Sequence, residues 1–425
     1  MSNFIFFLKD KRNRQTLQLL ITSIIVMLLV LLINFFLTKI LEKQSFGNYS
    51  YILIIFNFSQ VIFNFGYFYS ISRRIAILDS NADHREFYGV GLLVALLLSI
   101  IMALCLLSIN SIYNIVSSKE IVNSFLFCIP LSFIFTINNY NEILLQAGNK
   151  ISLLSFSRFT PKFIFLVLLM FIYFFLRDIV AMNTILTCFI ISSIIPFLVI
   201  LYRLKPKMSN YKMRIIELHK ANINFGFNIY IGSLFAVGAS SFSGLLIGYF
   251  GINNTEVGFY SIALQLSAPL SLIPNVIATT SYKKFANSNY IDKSTLKTMY
   301  LMSLFVLVMI FIVAKSIILI VYGIDYLECV SLVYFLSLGS VFYGISDFYN
   351  KFLSSKGKGI ELRNSSFIVG LVLITSNFIL IPYFGAKGAA VATIISGISY
   401  YLIIVYYYKK VIKEYKEFNE LDIRV

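Results

Sequence analysis

Arg158 and Lys162 stand four residues apart inside a long apolar run, on either side of Pro161, and Glu142 lies in the apolar run before them. Residues at i and i+4 share a helix face, so the two cations form one patch. A guanidinium binds two phosphate oxygens at once, and charge inside an apolar helix is costly unless it meets a ligand or a partner. The chemistry on offer is capture of a diphosphate-type anion. The competing reading is a structural ion pair between Glu142 and Arg158. Arg73 and Arg74 close the second apolar run; they suit the same anion or simply reach the lipid headgroups. Glu142 and Asp347 are candidate coupling carboxylates. Burial would have to raise the pKa of Glu142 for that role, and a neighbouring Arg158 would oppose it.

A second set of residues is polar and neutral. Asn57, Gln60 and Asn64 fall at i, i+3 and i+7 on one face of a predicted helix, and Asn139 and Gln265 join them, with Asn34, Asn138, Asn141, Asn183 and Asn275 similarly set among apolar residues. Amides supply the neutral donors and acceptors that sugar hydroxyls need. Otherwise they bond helix to helix, at about 0.6–2 kcal/mol each. The stretch Gly385-Ala386-Lys387-Gly388 has no GxxxxGK[ST] after a strand, so it is no phosphate loop. Pro382 is expected to end one helix, the glycines to turn, and Gly388, Ala392 and Ser396 to form a small-residue stripe for close packing. His84 and His219 fall in predicted loops. Cys105, Cys128, Cys188 and Cys329 lie in or beside apolar segments and read as free thiols. No catalytic triad, metal-ligand set or cofactor motif emerges, so an enzyme, a metal and a cofactor are not expected.

The elements that must position these groups are membrane helices. The chain is 59% hydrophobic and 13% charged, about half the usual charged share of a soluble domain. Apolar runs long enough to cross about 30 Å of hydrocarbon recur from end to end, without the alternation of barrel strands. The first run, after Lys9, Lys11, Arg12 and Arg14, is too long for a signal peptide and reads as an uncleaved helix. Twelve spans are predicted at 16–38, 49–71, 87–109, 120–145, 152–176, 178–202, 224–250, 257–281, 298–321, 328–351, 361–382 and 386–408. With both termini in the cytoplasm, 29 of the 35 Lys and Arg fall inside; the six outside are Lys39, Lys43, Lys119, Arg177, Lys315 and Lys387. This asymmetry accounts for the net charge of +16 without nucleic acid, because a basic face beside anionic lipid is sufficient.

An N-terminal six-helix bundle (1–203), a basic cytoplasmic connector (204–223) and a C-terminal six-helix bundle (224–425) follow. The bundles look duplicated. Gly47, Tyr49 and Ser50 match Gly258, Tyr260 and Ser261, "SRRIA" at 72–76 echoes "SYKKFA" at 281–286, and "LLQAGNK" at 144–150 echoes "FLSSKGK" at 352–358. Six helices per copy give parallel repeats about an axis along the membrane normal, as in some transporters.

Four blocks carry a family resemblance: "KILEKQSFGNYSYILIIFNFSQVIFNFGYFYSISRRIA" (39–76), "LLIGYFGINNTEVGFYSIALQL" (245–266), "IILIVYGIDYLECVSLV" (317–333) and "NFILIPYFGAKGAAVATIISG" (377–397). In order and spanning nearly the whole chain, they resemble the Wzx-type O-antigen and capsular polysaccharide flippases of the multidrug/oligosaccharidyl-lipid/polysaccharide exporter superfamily. One departure is "ASSFSGLLIGYF" (239–250), uncharged where family members often carry charge. The resemblance implies transfer of an undecaprenyl-diphosphate-type oligosaccharide from the cytoplasmic to the periplasmic leaflet of a bacterial inner membrane by alternating access. It also implies H+ or Na+ as coupling ion and the polysaccharide polymerase machinery as a partner. The alternative of the same architecture is a cation-coupled drug antiporter, which would want a carboxylate cluster in the first half. A polymerase or ligase would want a large outer loop, and none is present.

Overall fold

The computed structural model describes residues 11–77, 81–113, 127–176, 181–234, 239–251 and 253–422. Lys9, Lys119, Arg177 and Arg424, the starts of the fourth and sixth predicted spans, and 235–238 within the seventh lie outside the described residues. Among the described residues every regular element is a helix. They fall into two compact units, Met1–Leu234 and Phe235–Val425.

The first unit contains α1 (Lys11–Ile40), α2 (Lys43–Ile62), α3 (Tyr67–Ile77), α4 (Asn81–Tyr113), α5 (Cys128–Ala147), α6 (Ile151–Phe175), α7 (Met182–Leu204), α8 (Tyr211–Ala221), a π turn at Asn222–Gly226 and α9 (Phe227–Ser233). The second contains α10 (Ala239–Phe250), α11 (Thr255–Ser267), α12 (Pro269–Asn287), α13 (Lys293–Ile317), α14 (Cys329–Ser355) and α15 (Gly359–Asp422). Among the described residues eight helical stretches are long and apolar enough to cross a membrane, one of them α11 running into α12 (Thr255–Tyr282). α15 is two spans joined at a kink, and α2 with α3 is one span bent by 64°. The amide-rich α5 is a further apolar helix, and α10 a shorter one. The protein is an all-α, multi-pass membrane protein.

The long apolar helices expose one stripe and bury another. On α1, Ile21, Ile24, Leu28 and Leu32 are exposed while Leu29, Ile33 and Leu37 are buried. In lipid such an exposed stripe needs no cover. The first core forms where α3, α4, α5 and α7 meet, around Phe68, Tyr88, Tyr140, Leu144 and Ile200. Tyr140 is fully buried and its hydroxyl donates to the Tyr88 carbonyl at 3.0 Å, satisfying a group that would otherwise be costly inside. The second core gathers Phe285, Phe348, Phe352, Tyr349 and Tyr408 from α12, α14 and α15.

Two expectations change. The predicted helix 49–71 is broken, because Phe65 (φ 48°) and Gly66 (φ 82°) take left-handed conformations after Ile62. A Cβ on Gly66 would stand 2.4 Å from the Gly226 carbonyl oxygen, so only glycine fits that crossing. Asn57, Gln60 and Asn64 therefore do not share a helix face: Asn57 is exposed, Gln60 half-buried, and Asn64 buried in the break. Pro382 does not end its helix. It lies on an exposed helical surface, where proline's fixed φ is tolerated at the loss of one hydrogen bond, and the chain turns at Gly385 (φ 54°, ψ −134°) instead. Glu256 fastens that kink by accepting the Ala386 N–H at 2.8 Å. Beyond it Ala389, Ala392 and Ser396 are fully buried, a packed small-residue face. Within the predicted connector 204–223 the chain forms a helix. α7 ends at left-handed Lys205, and α8 folds back onto the start of α4. Arg214 donates to Glu86 Oε2 (2.9 Å) and Glu217 Oε2 (3.1 Å) and also reaches Asp83, while Lys207 N–H donates to the Arg85 carbonyl at 2.9 Å.

The two units repeat one turn closely. Lys150 N–H bonds Leu145 O across left-handed Asn149, and Lys358 N–H bonds Leu353 O across left-handed Gly357. Each pair is 208 positions apart. Tyr49 and Tyr260, matched in the sequence repeat, are both buried.

Candidate functional site

The turn at 148–150 folds α5 and α6 against each other, which brings the ends of both helices together. Glu142 on α5 and Arg158 on α6 meet there: Arg158 Nε donates to Glu142 Oε2 at 2.9 Å, and its Nη2 reaches the other carboxylate oxygen. The pair is bidentate, the stronger form of such contacts. Their side chains stay 32% and 41% exposed, opening onto a cavity of about 350 Å³ within the first unit. Lys162 lines the same cavity one turn on from Arg158. Its ammonium has no ion-pair or hydrogen-bond partner among the described residues. Pro161 between them, also on the wall, leaves the Ser157 carbonyl without its usual i→i−4 donor. The three charges sum to one net positive charge facing a space walled largely by apolar helices.

The remaining wall comes from three helices far away in sequence. α1 contributes Asn34, α2 contributes Tyr49, and α7 contributes Ser192 and Ser193; α5 adds Asn138 beside Glu142. These neutral groups can hydrogen-bond hydroxyls. None of Asn57, Gln60, Asn64, Asn139 and Gln265 lines this cavity. Asn64 Oδ1 and Asn139 Nδ2 are buried without a partner among the described residues, and Gln265 belongs to the second unit, half-buried on α11.

Arg73 and Arg74 are not in the cavity. They line a separate cleft of about 240 Å³ with Asn224 and Phe225. Arg73 stacks over the Phe225 ring at 4.2 Å, and Arg74 pairs with Glu217 at 3.4 Å. Asp347 sits in the second unit, on α14. It accepts a hydrogen bond from Tyr400 OH at 3.2 Å, and Asn350 Nδ2 donates to the same hydroxyl at 2.9 Å. Cys329 is a buried free thiol and Cys105 and Cys188 are half-buried ones; the Cys128 side chain lies outside the description. Among the described residues no three His, Cys, Asp or Glu come together as metal ligands.

This geometry has relatives. The polysaccharide biosynthesis protein family matches residues 13–282. The chain belongs to that family. No curated protein matches the sequence. Among solved structures, the lipid II flippase MurJ in an inward closed conformation superposes with a TM-score of 0.74 at 18% identity, over 92% of this chain and 88% of MurJ. An inward-facing multidrug resistance MATE family transporter of the MOP superfamily gives 0.69 at 15% identity, over 92% of this chain and 96% of that one. A MOP superfamily transporter from Pyrococcus furiosus gives 0.58 at 16% identity, over 95% and 98%. At these identities the likeness is one of fold, and this polysaccharide biosynthesis family member has the MOP transporter fold.

Proposed function

We infer that the protein flips an isoprenoid-diphosphate-linked oligosaccharide across a bacterial inner membrane, from the cytoplasmic to the periplasmic leaflet, by alternating access. The reading takes the termini to be cytoplasmic and the glycan to be a surface polysaccharide repeat unit, O-antigen or capsule. The observation that carries it is the cavity holding Arg158 and Lys162 beside neutral hydroxyls and amides. A diphosphate is too highly charged to cross hydrocarbon alone, and the two cations supply compensating charge where it would pass. Arg158 takes phosphate oxygens bidentately after exchanging Glu142 for substrate. Lys162, already without a partner among the described residues, takes another oxygen. Asn34, Asn138, Ser192 and Ser193 meet the first sugars, while the polyprenyl chain stays in lipid. Family membership and the resemblance in fold to a lipid II flippase both support this reading.

Glu142, released when substrate takes Arg158, is the residue placed to carry a coupling proton; Asp347, on α14 of the second unit, is the second candidate. The rival reading, a cation-coupled drug antiporter, has MATE transporters among its structural neighbours. A cationic drug needs a net negative cavity, and this one has two cations against one carboxylate.

The test is made in cells of the source bacterium lacking the gene. Loss of surface polysaccharide with build-up of completed diphosphate-linked repeat units, rescued by the wild-type chain and not by Arg158→Gln, is the expected result. Unchanged polysaccharide together with altered sensitivity to cationic compounds would refute it and favour the antiporter.

A further inference from the structure

We propose that the cleft at the end of α3 is a headgroup site for anionic phospholipid, separate from the substrate cavity. Its floor is one arginine held flat. The Arg73 guanidinium lies 4.2 Å over the Phe225 ring, a cation–π contact that fixes the plane and leaves the N–H edges open. Among the described residues Arg73 has neither a carboxylate partner nor a hydrogen-bond acceptor. That contrasts with Arg74 beside it, which is committed to Glu217, and with Arg214, which holds three carboxylates. A stacked, unpartnered guanidinium in a cleft of about 240 Å³ is a bidentate receptor for a phosphate. Asn224, exposed and lining the same cleft, offers an amide donor, and Lys220, about one turn before it on α8, is also exposed.

The surroundings select a lipid rather than a free anion. Ile223 and Phe227 flank the Asn224–Phe225 wall and are 61% and 44% exposed. Ile216 and Met213 on α8 are 58% and 57% exposed, interspersed with exposed Lys212 and Lys220. Lysines among exposed aliphatic side chains suit a membrane interface that carries anionic lipid. A phosphate seated on Arg73 can thus leave its acyl chains against Ile223 and Phe227. A soluble phosphate has no use for that apolar rim.

The measurement is lipid retention by native mass spectrometry on the purified full chain in mild detergent, offered equal phosphatidylglycerol and phosphatidylcholine. Wild type is expected to keep phosphatidylglycerol preferentially. Arg73→Gln should lower that retention about tenfold, the loss of a charge-assisted contact. Phe225→Leu, which keeps both arginines, should lower it about threefold, and Arg73→Lys should fall between. Arg158→Gln should retain lipid like wild type, which separates this site from the cavity. Equal retention of both lipids, or Arg73→Gln behaving as wild type, overturns the proposal. So does loss of retention in Arg158→Gln, which would put the headgroup in the cavity. Arg73-dependent protection from thermal unfolding by inorganic pyrophosphate but not by phosphatidylglycerol would reassign the cleft to a soluble anion and equally overturn it.

Discussion

Glu142→Gln should tighten binding of an isoprenoid diphosphate, whereas Arg158→Gln should weaken it. In the cavity Arg158 is engaged by Glu142, with Nε to Oε2 at 2.9 Å and a second contact through Nη2. A diphosphate must displace that carboxylate. With side chains 32% and 41% exposed, the pair is solvent-screened, and the upper end of the surface range, about 1 kcal/mol, is the appropriate figure. Glutamine keeps the shape and removes the charge, so binding should improve by roughly fivefold at about 1.4 kcal/mol per tenfold. Arg158→Gln loses a charge-assisted contact of about 1.5–3 kcal/mol, so affinity should fall by roughly 10- to 150-fold, with Lys162 holding the remainder. Titration calorimetry of farnesyl diphosphate into detergent-purified protein reads both. Unchanged or weaker binding by Glu142→Gln would refute the idea that the carboxylate and the substrate compete for one guanidinium.

Arg214→Gln takes the guanidinium from Asp83 and Glu86, while Glu217 keeps Arg74; with the Arg214 and Glu86 side chains each 12% exposed, a loss of about 3 kcal/mol is expected, visible as a lower Tm and faster amide exchange across 207–221. Gly66→Ala forces a side chain at φ 82° against the Gly226 carbonyl and should cost at least about 1–3 kcal/mol, read as lost thermal stability, while Gly357→Ala, with nothing within 4 Å of the new Cβ, should cost less. Glu256→Ala leaves the Ala386 N–H without its acceptor; a loss of about 1–2 kcal/mol should appear in thermal unfolding, with Glu256→Gln recovering part of it.

What the sequence made legible was local. Glu142, Arg158 and Lys162 come together because one short turn joins the helices that carry them, and helix spacing across a turn can be counted. Asn34 stood out as an amide in an apolar run, but Tyr49, Ser192 and Ser193 reach the same cavity from helices whose packing depends on side chains distributed over the whole unit, so nothing near them in the chain marks them as wall residues. Asn57, Gln60 and Asn64 looked like one face because the pattern assumes an unbroken helix. The break depends on Phe65 adopting a left-handed conformation that no aromatic residue advertises. Gly66 was the visible clue, together with the need for close approach to Gly226. The partners of Arg214 on α4 were likewise hidden, since Glu86 lies 128 positions away. Pro382 misled because proline interrupts a hydrogen bond without necessarily turning the chain.

The repeated turn at Asn149 and Gly357 gives the molecule an internal reference. Carried along the helices that follow, the same offset of 208 sets Ser366 against Arg158 and Gly370 against Lys162, and on the preceding helices sets Asn350 against Glu142. The second unit thus preserves the backbone device and lacks the charges. At the three matched positions one copy carries charge and the other carries neutral residues. Writing Arg, Lys and Glu into positions 366, 370 and 350 asks whether the scaffold alone suffices to build an anion site, or whether α1, α2 and α7 are needed to complete it.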